Sequence, residues 1–198
     1  MNYQEPLKSK YQLSLFGYKD YFNFFTSMYK KNKLPNAVLL RGQKGIGKAT
    51  FINHFINYLL SNDQEKKFLI SNNKINANNK SYNLLSDNIH PNCFSLEGKS
   101  SNSEITIDQV RNMLKFINKS TYNQNLKIIM IDNAELLNRN AANALLKSLE
   151  EPSENTFFFL IHNSSCKILE TVKSRCIEFN FFLNTDSKKE ILKNILSN

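Results

Sequence analysis

Arg41-Gly42-Gln43-Lys44-Gly45-Ile46-Gly47-Lys48-Ala49-Thr50 fits the pattern G-x-x-x-x-G-K-[ST] at every position but the last, where Ala49 replaces the hydroxyl residue. In such a loop, glycines let consecutive backbone N–H groups converge on phosphate oxygens, and the lysine adds a positive charge at the terminal phosphates. Gly42, Gly45, Gly47 and Lys48 are therefore candidate nucleotide-binding residues, with Ala49 and Thr50 completing the loop. The final hydroxyl normally ligates Mg²⁺, and alanine has no oxygen to offer. The loop reads as able to hold ATP or ADP, with Mg²⁺ binding weakened.

A near-match of this kind is often an ordinary glycine-containing turn, so its surroundings decide. Residues 37–40 (Ala37-Val38-Leu39-Leu40) are a short apolar run that predicts a buried strand leading into the loop. After it, Phe51, Ile52, Phe55, Ile56 and Leu59 recur at helical spacing, so the loop opens a helix. Strand, glycine-rich loop and helix together aim a helix N-terminus at an anion.

The pattern repeats along the chain. A first amphipathic helix is expected over 20–31, and strands over 93–96, 127–132, 157–161 and 176–182. Helices are expected over 108–118, 140–151 and 167–173, the second stopped by Pro152. Strands that are apolar throughout and alternate with helices predict an α/β fold, with a mostly parallel five-stranded sheet covered by helices on both faces. Residues 61–90 shift to Asn, Lys and Ser and read as a variable surface excursion with some helix. A last amphipathic helix is expected over 186–197.

Composition narrows the function. With 41% hydrophobic residues the chain can form a packed core, and no apolar run approaches the about 20 residues needed to span a bilayer. The N-terminus lacks a secretory signal, and Cys93, Cys166 and Cys176 are scattered, which suits a reducing cytoplasm and neither a disulfide framework nor a metal site. A net charge of +9 permits contact with nucleic acid. However, Lys and Asn are abundant everywhere, so coding bias explains the charge equally well, and no basic run interleaves with aromatics.

Asp132, at the end of an apolar strand, is the expected second half of a nucleotide site, orienting Mg²⁺ directly or through water. An N-cap aspartate is the alternative. Hydrolysing members of this class commonly place a glutamate next, to polarise water. Here Asn133 follows, which cannot serve as a general base, while Glu135 stands two positions further on. Ala49 and Asn133 thus depart at the two positions that handle metal and water.

The block Ile131-Asp132-Asn133-Ala134-Glu135-Leu136-Leu137-Asn138-Arg139-Asn140-Ala141-Ala142-Asn143-Ala144-Leu145-Leu146-Lys147-Ser148-Leu149-Glu150-Glu151-Pro152 is the most specific feature of the chain. With His90-Pro91-Asn92, Ile107-Asp108-Gln109-Val110-Arg111 and Ser174-Arg175-Cys176, it resembles the bacterial clamp-loader subunits of the AAA+ class, most closely the delta-prime type of DNA polymerase III. The resemblance implies an AAA+ P-loop domain over 1–183, then the start of a helical lid over 184–198. It implies tau/gamma and delta subunits as partners, the sliding clamp indirectly, and primer–template DNA nearby. On the residues alone, Arg175 is a surface or salt-bridged arginine before a strand. The resemblance assigns it as an arginine finger acting in trans on ATP held by the adjacent subunit. His162 and Asn163 match the place where the class carries a polar sensor of the γ-phosphate, although any turn also favours polar residues there.

Two departures shape the expectation. Many family members carry four zinc-binding cysteines between the loop helix and the next strand; residues 61–90 have none, so no zinc is expected. Members also continue into a C-terminal collar that joins the ring, and no collar is expected here. The leading reading is a clamp-loader subunit that hydrolyses ATP poorly, if at all, and assists its neighbour in DNA replication. The alternatives are an active tau/gamma-like ATPase with Thr50 or water replacing the missing hydroxyl, and a free-standing P-loop nucleotide-binding protein. A DNA-binding regulator is disfavoured, because no recognition motif is visible.

Overall fold

A computed structural model of the chain describes residues 8–98, 103–119 and 126–183, together with 185, 188, 189 and 191. Strands β1 (Ala37–Gly42), β2 (Cys93–Leu96), β3 (Lys127–Ile131), β4 (Thr156–Asn163) and β5 (Ile177–Asn180) form one sheet in the order β2-β3-β4-β1-β5. Every neighbouring pair is parallel. The chain falls into two compact units, one of Pro35–Lys44 with Asn88–Phe181, the other of Met1–Leu34, Gly45–Asp87 and Phe182–Asn198.

The central strands β1, β3 and β4 of the sheet unit read as largely apolar runs because both of their faces are buried, whereas the edge strands β2 and β5 are partly exposed. In register, Ile129 lies beside Phe158 and Phe158 beside Ala37, while Ile131, Leu160 and Leu39 form the next row. These side chains share one core with helices α5 (Ile107–Asn118) and α6 (Arg139–Glu150) through Val110, Met113, Ala141, Leu145 and Leu149. The alternate set, Val38, Leu40, Ile128, Met130, Phe159 and Ile161, is buried as well. Each fully buried Leu, Ile or Phe contributes about 1.5–3 kcal/mol of transfer free energy.

Local chemistry sets the helix ends. Thr106 and Gln109 form a capping box at the start of α5, and the Asn138 side chain accepts from Ala141 N (2.9 Å) at the start of α6. The buried Lys127 ammonium donates to the carbonyls of Phe116, Ile117 and Lys119. It thereby satisfies the acceptors that a helix C-terminus leaves over.

The other unit contains α1 (Lys19–Lys30), α2 (Lys48–Leu60), α3 (Asp63–Asn72) and α4 (Lys80–Ser86). Phe22 and Phe25 of α1 meet Phe51, Phe55 and Tyr58 of α2 edge to face, with Phe25 5.2 Å from Phe51 and 5.4 Å from Phe55 between centroids. The Asn-rich stretch 61–90 is more ordered than its composition predicts. Asn62 caps α3 by accepting from Glu65 N, Asn79 caps α4 by accepting from Tyr82 N, and Asn73 ends α3 in the left-handed region at φ 51°. Asn57, Ser61 and Asn79 close a buried hydrogen-bonded network between α2 and the start of α4.

Boundaries differ where the periodicity is thin. Helix α7 covers only Glu170–Lys173, shorter than the expected 167–173, and β5 is shorter than 176–182. Strand β4 extends past 157–161 at both ends. The helix expected over 186–197 lies almost wholly outside the described residues.

Candidate functional site

The glycine-rich loop has the backbone shape its glycines imply. Gly42 closes β1, and its carbonyl accepts from Ser164 N at 3.0 Å. Gly45 and Gly47 sit at φ +82° and +94°, where an L side chain is strained. The Gly47 carbonyl accepts from Phe51 N (2.9 Å), the first helical bond of α2, and no side chain caps that helix. A helix start leaves its first-turn N–H groups without helical acceptors, which is what suits it to an anion.

One support was not legible in the sequence. The buried Tyr18 hydroxyl donates to the Ile46 carbonyl at 2.5 Å, and a Cβ on Gly47 would lie 3.3 Å from the Tyr18 ring. Because the peptide is planar and trans, fixing the Ile46 carbonyl toward Tyr18 turns the Gly47 N–H the opposite way. Burial, with a smaller effect from Tyr21, pushes the Tyr18 phenol up, so it stays a donor. Nothing in the spacing of residues 18 and 46 announces this contact.

Lys48 is the first residue of α2 and is buried. Ala49 and Thr50 follow in the first turn; the Ala49 carbonyl accepts from Asn53 Nδ2 and the Thr50 carbonyl from His54 Nδ1, both at 2.9 Å. The residues present fit phosphate binding: two positive-φ glycines, an uncapped helix start and a lysine at its head. They do not supply the oxygen at position 49 that would hold Mg²⁺.

In the sheet unit, the C-terminal ends of the strands gather the remaining candidates. Arg41 pairs with His162 and Gly42 with Asn163 in the β1–β4 register, and Asp132 directly follows Ile131, the partner of Leu160. The Asp132 carboxylate accepts from Asn133 N (2.9 Å), and Asn133 takes a left-handed conformation at φ 57°. The turn that follows, Ala134–Leu136, brings Glu135 round so that its Oε2 accepts from Asn163 N at 3.2 Å. Glu135 therefore faces the end of β4, an orientation its position two residues beyond Asn133 does not reveal. The Asn163 side chain turns back on its own loop, accepting from Ser165 N and contacting Cys166 Sγ. His162 is buried and its Nε2 donates to the Cys166 carbonyl at 3.0 Å.

Arg175 lies apart from these residues, just past α7. Its Nε donates to Glu150 Oε1 at 2.6 Å, Nη2 meets the same oxygen, and Nη1 donates to the Thr171 carbonyl at 2.8 Å. The side chain remains 29% exposed. A guanidinium has five N–H donors, so these contacts leave one on each of Nη1 and Nη2. Burial pushes the neighbouring Cys176 thiol up to about 12, so it is no nucleophile at neutral pH. Among the described residues, no helix is long and apolar enough to cross a membrane.

Comparison with known proteins agrees with the fold. Solved structures share the fold: a DNA polymerase III gamma subunit-related protein from Thermotoga maritima (TM-score 0.52, 18% identity, 83% of this chain and 48% of that one) and the RuvB Holliday junction branch migration motor of the same organism (TM-score 0.53, 16% identity, 96% and 55%). Among curated proteins, DNA polymerase III subunit delta' of Pseudomonas aeruginosa is 36% identical over 72% of this chain and 42% of its own length. The Escherichia coli delta' subunit is 28% identical over 78% and 45%, and the gamma subunit of Buchnera aphidicola from Acyrthosiphon pisum 29% over 95% and 50%. The chain thus spans about half the length of the curated relatives it matches. The family model described as "DNA polymerase III, delta subunit" matches residues 17–185, so this chain belongs to that family and is delta-prime-like within it.

Proposed function

We propose that this chain is a clamp-loader subunit of a cytoplasmic DNA polymerase III, one that assists ATP hydrolysis at a neighbour's site while hydrolysing poorly itself. The observation that carries the reading is the contrast between Arg175 and the loop. Arg175 is a permanently charged fork held at the surface with two donors uncommitted. The loop has kept its glycine geometry but has Ala49 where the metal ligand belongs and Asn133 where a water-polarising glutamate belongs.

In this reading the glycine-rich loop, with Gly42, Gly45, Gly47, Lys48 and Thr50, would hold the phosphates of ATP or ADP, and Asp132 would be the acid that orients Mg²⁺ directly or through water. The bound nucleotide would supply charge for the loop to organise around, and binding rather than turnover would be its role. Arg175 would reach the nucleotide of an adjacent tau/gamma subunit and stabilise charge developing on the transferred phosphoryl group. The delta and tau/gamma subunits are the partners this assigns, with the sliding clamp and primer–template DNA reached through the assembly.

Reconstitution with the cognate ATPase and delta subunits tests it. Arg175→Ala is expected to lower clamp- and DNA-stimulated turnover by roughly 10³-fold, the lower end of what arginine fingers contribute. Lys48→Met should leave turnover nearly unchanged. The opposite pattern would refute the reading.

One observation favours a second reading, an active tau/gamma-like ATPase. Glu135 places a carboxylate at the end of β4, beside the position paired with Gly42, where a water-polarising base could act.

A further inference from the structure

The family reading gives Arg175 a task but says nothing of what aims it, and α6 offers an unusual partner. Glu150 is the last residue of α6, and Glu151 follows as its C-cap. Two carboxylates at a helix C-terminus oppose the negative end of the helix dipole and are locally unfavourable. A local rule broken without a local reason is where function tends to lie.

The packing brings the two residues together. Leu145 and Leu149 of α6 share a buried core with Val172 of α7. Arg175 N then closes on the Val172 carbonyl at 3.2 Å, fixing the backbone from which the guanidinium extends. Glu150 takes the Nε and Nη2 edge of that guanidinium, and the Thr171 carbonyl takes one donor of Nη1. The side chain is thereby held at both flanks. Its uncommitted donors, one on Nη1 and one on Nη2, belong to two nitrogens of a rigid, permanently charged plane and remain free for the oxygens of a phosphate.

We infer that Glu150 is a positioning residue for Arg175: it clamps the guanidinium side-on so that the remaining fork is presented to a phosphate outside the chain. This rests on Arg175 acting in trans. Preorganisation is the source of the gain. A free arginine would lose side-chain rotamer freedom on each encounter, whereas a clamped one has already lost it.

The test uses the reconstituted loader and reads the neighbour's kcat and KM for ATP separately. Glu150→Ala is expected to lower kcat about 10-fold with KM unchanged, since the donors would be misaimed at the transition state and ATP binding untouched. Glu150→Gln keeps a side-chain oxygen and should recover most of that loss. In the Arg175→Ala background, Glu150→Ala should cause no further loss, because a positioning residue has nothing left to position. Thermal melting of each variant separates this from a folding defect; an ion pair this exposed should leave the midpoint within a few degrees of the parent.

The inference is overturned if Glu150→Ala leaves kcat intact while Arg175→Ala abolishes it, which would spare the finger and remove only its aimer. It is equally overturned if Glu150→Ala raises kcat, which would make the pair a lock. An unchanged rate in Arg175→Ala would remove the finger reading itself, and the inference with it.

Discussion

The loop at Gly42–Thr50 and the corner at Arg175 differ in which part of a working site each one has. The loop has its shape and lacks a metal ligand: Gly45 and Gly47 occupy positive φ and Tyr18 holds Ile46, but residue 49 has no side-chain oxygen. At the corner, the Arg175 guanidinium is braced by Glu150 and the Thr171 carbonyl. A backbone cradle can persist for stability or binding without chemistry. The Arg175 guanidinium, by contrast, sits in an exposed ion pair of the kind that contributes little to stability.

The largest effect that could break this contrast is the roughly 10³-fold loss of partner turnover expected for Arg175→Ala, followed by the roughly 10-fold loss for Glu150→Ala. Next comes the cradle. Gly47→Ala should destabilise the chain by about 1–2 kcal/mol from the left-handed backbone alone, with added crowding because its Cβ would meet the Tyr18 ring at 3.3 Å. Gly45→Ala carries the same backbone strain but meets nothing within 4 Å, so it should cost less. Urea unfolding of the pair measures the difference. Equal losses would mean that Tyr18 does not brace the loop.

A smaller change sharpens the comparison from the other side. Ala49→Ser restores a hydroxyl, and MgATP should bind several-fold tighter, about 1 kcal/mol, by calorimetry. Turnover should stay at background because Asn133 still cannot accept a proton. Turnover that appears, and then vanishes on Glu135→Gln, would instead favour the active-ATPase reading.

The smallest expected effect is a pH dependence. Burial lowers the His54 pKa despite the opposing hydrogen bond to the Thr50 carbonyl, and burial also lowers that of His90. His90 Nδ1 accepts from Asn92 N at 3.1 Å, a bond only the unprotonated nitrogen can make. Both histidines bind a proton more readily unfolded than folded. Stability is therefore full above the unfolded value of about 6.5 and declines as pH falls below it, by at most about 1.4 kcal/mol per pH unit for each group. Urea midpoints at pH 7 and pH 5 should show the decline, and Lys48 and Arg175 variants should share it.

Most strands and long helices were legible because burial writes a period into the residues. Ile128 to Ile131 and residues 157–161 are apolar at every position, as both faces of a parallel sheet demand. Val110, Met113 and Ile117 mark one face of α5. The stretch 61–90 was not legible. Asn looks like filler in composition, yet Asn62, Asn73 and Asn79 act through caps and a left-handed turn that depend on one backbone geometry each.

The sequence alone determined which groups are present: four loop residues suited to phosphate, no oxygen at 49, an amide at 133 and a guanidinium at 175. Periodic burial also determined the α/β class, since hydrophobic pattern is a local property of the chain. Only the tertiary structure decided what those groups face. The Tyr18–Ile46, Glu135–Asn163 and Glu150–Arg175 contacts each join residues 25 to 28 positions apart. Such hydrogen bonds depend on direction and on ångström-scale distance, and no periodicity in a linear sequence encodes either.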